Sequence, residues 1–253
     1  MYLFRYLRRL ELQRRGGRYL LYAVGEILLI VIGIMIALQI NVWNQEQANR
    51  KLERNFLHRF ELDLADDLAT FNEQVGIGEN GLKVVKEAVT LLHQENVEDD
   101  FYKLNRLYDL AYIDPFNPQY STYEELESTG QLNLIRNESL RLAIQKHYAY
   151  YKKMEAEFDH LFVWRKNVTL GYDSDTSNLK YTDWNKEIFP PEIRSDSDWI
   201  FLNDKEHPQF KITETALAAT SFWIRWHLGD YAEAIPKTEA LKARIALAFE
   251  ELQ

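Results

Sequence analysis

The chain has 253 residues, with 30 Lys and Arg against 39 Asp and Glu, a formal charge of -9. It contains no cysteine, which excludes a disulfide framework, a thiolate zinc site and cysteine catalysis. Residues 1–41 hold six arginines and two acids, so 42–253 carry 24 basic and 37 acidic residues; this acidic part repels phosphate backbones and argues against nucleic acid as a partner.

In the tail, residues 1–18, Leu3, Phe4, Leu7 and Leu10 share one helical face between the arginines. It reads either as a short amphipathic helix on an anionic leaflet, broken at Gly16-Gly17, or as a disordered segment that only sets topology. Tyr19–Asn41 follows, with no polar residue from Ile27 to Leu38 and Glu26 as its one charge. That is about the length a helix needs to cross ~30 Å of hydrocarbon. The run exceeds a usual signal h-region and ends Ala37-Leu38-Gln39 instead of in an A-x-A site, so we expect an uncleaved signal anchor. Six arginines precede the span within 18 residues and four basic residues follow it within 18. The positive-inside bias then predicts a single-pass protein of a bacterial inner membrane, N-terminus cytoplasmic and residues 42–253 periplasmic.

Within the span, Glu26, Gly33 and Ala37 fall on roughly one helical face. A carboxylate at that depth is costly and usually faces protein, and Gly33-x-x-x-Ala37 permits close helix approach. This reads as a packing seam, for a second copy or another membrane protein; the alternative is a Glu26 that snorkels to water. Trp43 at the outer interface, and Tyr19 and Tyr22 at the inner one, read as interfacial anchors.

No Gly or Pro occurs from Ile34 to Val75, while Leu57, Phe60, Leu64, Leu68, Phe71 and Val75 recur at steps of three and four. The spacing predicts that the span continues as a stalk and first domain helix, with Asp66 and Asp67 on other faces. Gly76-Ile-Gly78-Glu-Asn-Gly81 matches G-x-G-x-x-G, but a helix precedes it where a nucleotide site needs a strand, so we expect a helix–helix turn. Helices are predicted over 81–95 and 99–112, the second ended by Asp114-Pro-Phe-Asn-Pro118. Ser121 with Glu124, or Thr122 with Glu125, suggests a capping box opening a short helix, with Gly130 as its left-handed stop. Asn137 caps a predicted helix over 138–166 whose inward face is Leu140, Ile144, Tyr148, Tyr151, Phe158 and Phe162. Residues 167–211 read as a loop-rich insertion, and helices over 212–228 and 231–252 close the chain. No stretch shows sustained period-two alternation, so the class is all-α: a transmembrane helix continuing into a helical bundle of residues 42–253.

Residues 19–44 and Thr122–Tyr148 together resemble a family of uncharacterised single-span proteins of Bacteroidota, through G-E-I-x-L-I-V-I-G-I-x-I-A-L-Q-I-N-x-W-N and T-Y-E-E-L-x-S-T-G-x-L-N-L-I-x-N-x-x-L-R. The resemblance implies a membrane-anchored helical domain exposed to the periplasm, and no activity.

Chemistry-bearing patterns are sparse. Asp173-x-Asp175 and Asp196-x-Asp198 fail as a calcium loop, since position 6 is Asn178 and position 12 is Trp184, so no metal is expected. There is no H-E-x-x-H and no G-x-S-x-G; His147 and His227 read as core or boundary residues, and Phe222, Trp223 and Trp226 as core or a partner-binding patch. The expectation is a non-enzymatic structural or interaction subunit without cofactor, its contacts being the lipid bilayer and a partner through the span. The alternative is a ligand-binding sensor module.

Overall fold

A computed structural model describes residues 3–94, 104, 107, 111–173, 185, 187–190 and 200–252, with side chains from Ala23 onward except at 172, 173, 200 and 202. Four α-helices are described: α1 (Leu3–Leu92), α2 (Ser121–Ser128), α3 (Glu138–Asp173) and α4 (Pro208–Glu250), with short 3-10 turns at Gln131–Leu134 and Ile200–Asn203. No strand occurs among the described residues, so the chain is all-α. By contacts it divides into Met1–Asn55 and Phe56–Gln253.

The first unit is the N-terminal part of α1. Every large apolar side chain from Val24 to Trp43 is exposed, and this stretch makes α1 long and apolar enough to cross a membrane. Gly16-Gly17 does not break the helix, contrary to expectation. Glycine costs about 1 kcal/mol in a helix interior, a penalty without a geometric prohibition.

The second unit is a bundle in which α3 and α4 run antiparallel. Ser139 meets Arg244 at one end, Tyr151 meets Thr238 further on, Phe158 packs on Tyr231, and Arg165 reaches Thr220. Within this unit α1 runs antiparallel to α4, with Phe71 against Tyr231 and His93 against Phe210. The fourth layer is not a helix: residues 111–120 run back along α1, held where the Gln74 amide donates to Asp114 Oδ2 and Asp67 Oδ1 accepts from Gln119 N. Phe116 from this segment stacks on Phe71 of α1 and Phe158 of α3, lies edge-on to Tyr151 and meets Tyr231 of α4, so one aromatic residue joins three helices. The helix expected over 99–112 falls largely outside the described residues.

Four boundaries differ from expectation. α1 passes straight through the Gly76–Gly81 run instead of turning there. A Cβ on Gly78 would lie 2.9 Å from Leu228 Cδ2, and one on Gly81 would lie 3.1 Å from the Tyr112 carbonyl oxygen, so these glycines admit α4 and the returning chain. Residues 208–250 form one helix in place of two, through Gly229 and Pro236. Its buried stripe runs unbroken from Phe210 through Ile224 and Tyr231 to Ile245, and burial at ~2 kcal/mol per large apolar side chain outweighs the hydrogen bond that Pro236 cannot donate. α4 starts earlier than expected, with His207 Nδ1 accepting from Gln209 N and Pro208 in the first turn. α3 extends to Asp173, into the expected loop-rich insertion, whose remainder lies mostly outside the described residues.

At α2 the capping box does not form; no side chain caps Tyr120. Gly130 does take the left-handed conformation, with φ 68°, and Leu140 N donates to Asn137 Oδ1 at 3.0 Å, as a cap of α3 should.

Candidate functional site

Antiparallel packing of α3 and α4 leaves an open groove of about 760 Å³ beside the start of α3. Steps of three and four along α3 bring Ser139, Leu142, Ala143, Lys146, His147 and Tyr150 to it, and along α4 Lys237, Ala240, Leu241 and Arg244. Glu138 is the one acid in the lining. The cations are held differently. Arg244 Nη2 donates to the Ser139 carbonyl and hydroxyl oxygens, both at 3.0 Å. Lys237 pairs with Glu233 and lies over the Tyr150 ring, 3.9 Å from its centroid. His147 is buried in the groove wall beside Tyr151, with ring centroids 4.2 Å apart. Burial, with the Lys237 charge adding to it, holds its pKa down at about 4, so the imidazole is neutral at pH 7. Its Nε2 has no hydrogen-bond partner among the described residues.

Behind the groove lies a buried polar cluster on α1, α3 and the returning chain. Asp67 is buried and its Oδ1 accepts from Gln119 N at 2.7 Å, while the neighbouring Tyr151 hydroxyl meets Thr238 Oγ1 at 2.8 Å. Loss of solvation, then the negative charges of Asp63 and Asp66, raise its pKa to about 7 despite the hydrogen bond from Gln119. The hydroxyls of Tyr148 and Thr122 are buried without partners among the described residues, and burial moves the Tyr148 and Tyr151 phenols upward, so both stay protonated. Asp67 was expected off the core face; it falls between Leu64 and Phe71 on the buried stripe of α1.

A third feature is aromatic. Trp223 is buried against Phe158, whereas Phe222 and Trp226 are exposed, and Phe222 meets Trp164 edge-on at 5.3 Å. The sequence reading of this trio as one unit therefore splits: Trp223 is core, the other two are surface. Phe162, expected inside, is about half exposed. His147 and His227 are both buried, and His227 stacks on Phe158 with its Nδ1 3.2 Å from Asp230 Oδ2.

The seam residues Glu26, Gly33 and Ala37 are exposed on α1, and nothing within the chain lies within 4 Å of a Cβ built on Gly33. Trp43 is exposed; the side chains of Tyr19 and Tyr22 lie outside the described residues. Asp175, Asp196 and Asp198 lie outside them too, as does the side chain of Asp173. Among the described residues no group of three His, Asp or Glu side chains is placed to hold a metal ion. Sequence reasoning missed Asp67 and the groove cations. The first carried a signal, since its position continues the apolar steps Phe60, Leu64, Phe71; the second needed the pairing of two helices about a hundred residues apart.

These features define a helical protein with one long apolar helix and a bundle whose core is aromatic and partly polar. Residues 26–168, more than half of the chain, match the model of a family of unknown function, DUF6090, and the chain belongs to that family. No curated protein and no solved structure matches it.

Proposed function

We propose that this chain is a single-pass protein of a bacterial inner membrane that acts as a structural or interaction subunit, with residues 1–18 cytoplasmic and residues 42–253 periplasmic. The observation that carries the reading is the exposed face of Glu26, Gly33 and Ala37 within an otherwise apolar helix segment. Lipid gives helices no hydrophobic reason to associate, so close approach at small residues and a polar contact must drive pairing. An inert tether needs neither. The partner is a second copy or another membrane protein, and the role is not catalytic. The arginine bias supports the orientation, and the likeness of the span motif to single-span proteins of Bacteroidota supports the setting.

Co-purification of differently tagged copies in mild detergent, with mass spectrometry of what accompanies them, tests the association. Gly33→Leu and Glu26→Leu should each weaken it, whereas Ile32→Leu should leave it unchanged. Retention of every partner by a span rebuilt from plain leucine and alanine would refute the seam. For the orientation, an impermeant thiol reagent should label a cysteine placed at Ser177 and spare one placed at Arg5; the reverse pattern makes residues 42–253 cytoplasmic.

A further inference from the structure

We infer that the groove between α3 and α4 binds a small organic anion, a carboxylate or phosphate head carried on an apolar body. Charge is the first argument. Residues 42–253 hold 24 basic and 37 acidic side chains, yet this groove collects Lys146, Lys237 and Arg244 against Glu138 alone. Two of those cations keep their charge uncompensated. Among the described residues Arg244 bonds only neutral oxygens of Ser139, and Lys146 makes no ion pair. Lys237 is neutralised by Glu233 but fixed over the Tyr150 ring, where it shapes one wall.

The walls supply the second argument. Between the cations the surface is carbon: Leu142, Ala143, Ala240, Leu241 and the Tyr150 ring. Leu142 remains about half exposed, so apolar area is left for an occupant to cover. Inorganic phosphate would use the charges and waste the walls; a neutral hydrocarbon would do the opposite. A volume of about 760 Å³ suits a ligand of modest size and is far larger than one phosphate needs. The third argument is His147, more than nine-tenths buried at this wall, with an Nε2 that nothing among the described residues satisfies. An unmade hydrogen bond at a buried polar atom costs about 1–3 kcal/mol, which a polar group in the groove can recover.

The test is calorimetric titration of the full chain, held in nanodiscs of zwitterionic lipid, with hexanoate and phenyl phosphate as probes. Inorganic phosphate and 1-hexanol are the controls for charge alone and carbon alone. At least one organic anion should bind saturably and more tightly than either control. Lys146→Gln should weaken it about tenfold, the effect of losing one charge-assisted hydrogen bond. Ala240→Trp, a substitution at an exposed position that fills the groove, should abolish binding while the far-UV circular dichroism is unchanged. The site is overturned if neither anion binds saturably, if 1-hexanol or phosphate binds as well as the organic anions, or if binding survives both substitutions.

Discussion

Asp67 offers the sharpest test of the bundle's energetics. Its carboxyl is buried among Tyr148, Tyr151 and the returning chain, and its pKa rises from 3.8 in the unfolded chain to about 7 in the fold. The folded state therefore holds the proton more tightly. The stability this contributes is fully present below pH 3.8 and is lost as pH rises through 7. A difference of about 3 pH units at 1.36 kcal/mol each makes the ionised carboxylate cost roughly 4 kcal/mol at pH 8. Asp67→Asn keeps the shape and the acceptor for Gln119 N but cannot ionise. Its stability should match wild type within about 1 kcal/mol at pH 4 and exceed it by roughly 3–4 kcal/mol at pH 8, an advantage that grows between those limits. For a bundle of this size that is on the order of 10 °C in melting temperature. The assay is thermal unfolding of the full chain in mild detergent, followed by circular dichroism across pH 4–8. Only the difference between variant and wild type is read, because other groups titrate in the same range. Parallel profiles, with the same difference at pH 4 and pH 8, would refute the reasoning.

Three further outcomes are expected. His147 has the opposite sign: its pKa falls from 6.5 to about 4, so its contribution is present above pH 6.5 and lost on acidification, and His147→Gln should flatten the acid side of the same melting profile by about 3 kcal/mol. Gly81→Ala should destabilise by more than 1 kcal/mol, because the new Cβ meets the Tyr112 backbone, whereas Gly76→Ala, with open space around it, should stabilise by about 0.5–1 kcal/mol in urea titrations. Phe116→Ala should cost about 3–5 kcal/mol in the same titrations, since the ring packs against Phe71, Phe158 and Tyr231 on three helices; a loss under 1 kcal/mol would show that the returning chain is not part of the core.

What the sequence determined by itself is local or periodic. An apolar run of span length, the absence of Gly and Pro from Ile34 to Val75, the three-and-four spacing of Leu57 to Phe71, the Asn137 cap and the Gly130 stop are each written in one continuous stretch of chain. The structure bears out the continuous helix of α1, the Asn137 cap of α3 and the left-handed Gly130 after α2 from those signals. Tertiary packing decided the rest. Gly76–Gly81 and Pro236 look like breaks because glycine and proline carry local penalties of one to about three kcal/mol. Both sit inside helices because the buried stripes around them are worth more and because close packing requires the missing Cβ at Gly78 and Gly81. The capping box at Ser121 went unmade, the fourth bundle layer is the non-helical chain of residues 111–120, and Asp67 is buried where a surface acid was expected. The groove has no local signature at all. Lys146 and Arg244 lie 98 positions apart, and only the antiparallel register of α3 on α4, set by pairs such as Tyr151 with Thr238, brings them to one cleft. Local free energies of about 1 kcal/mol can be read along a chain, but the choice among them belongs to the packing of residues that are neighbours only after folding.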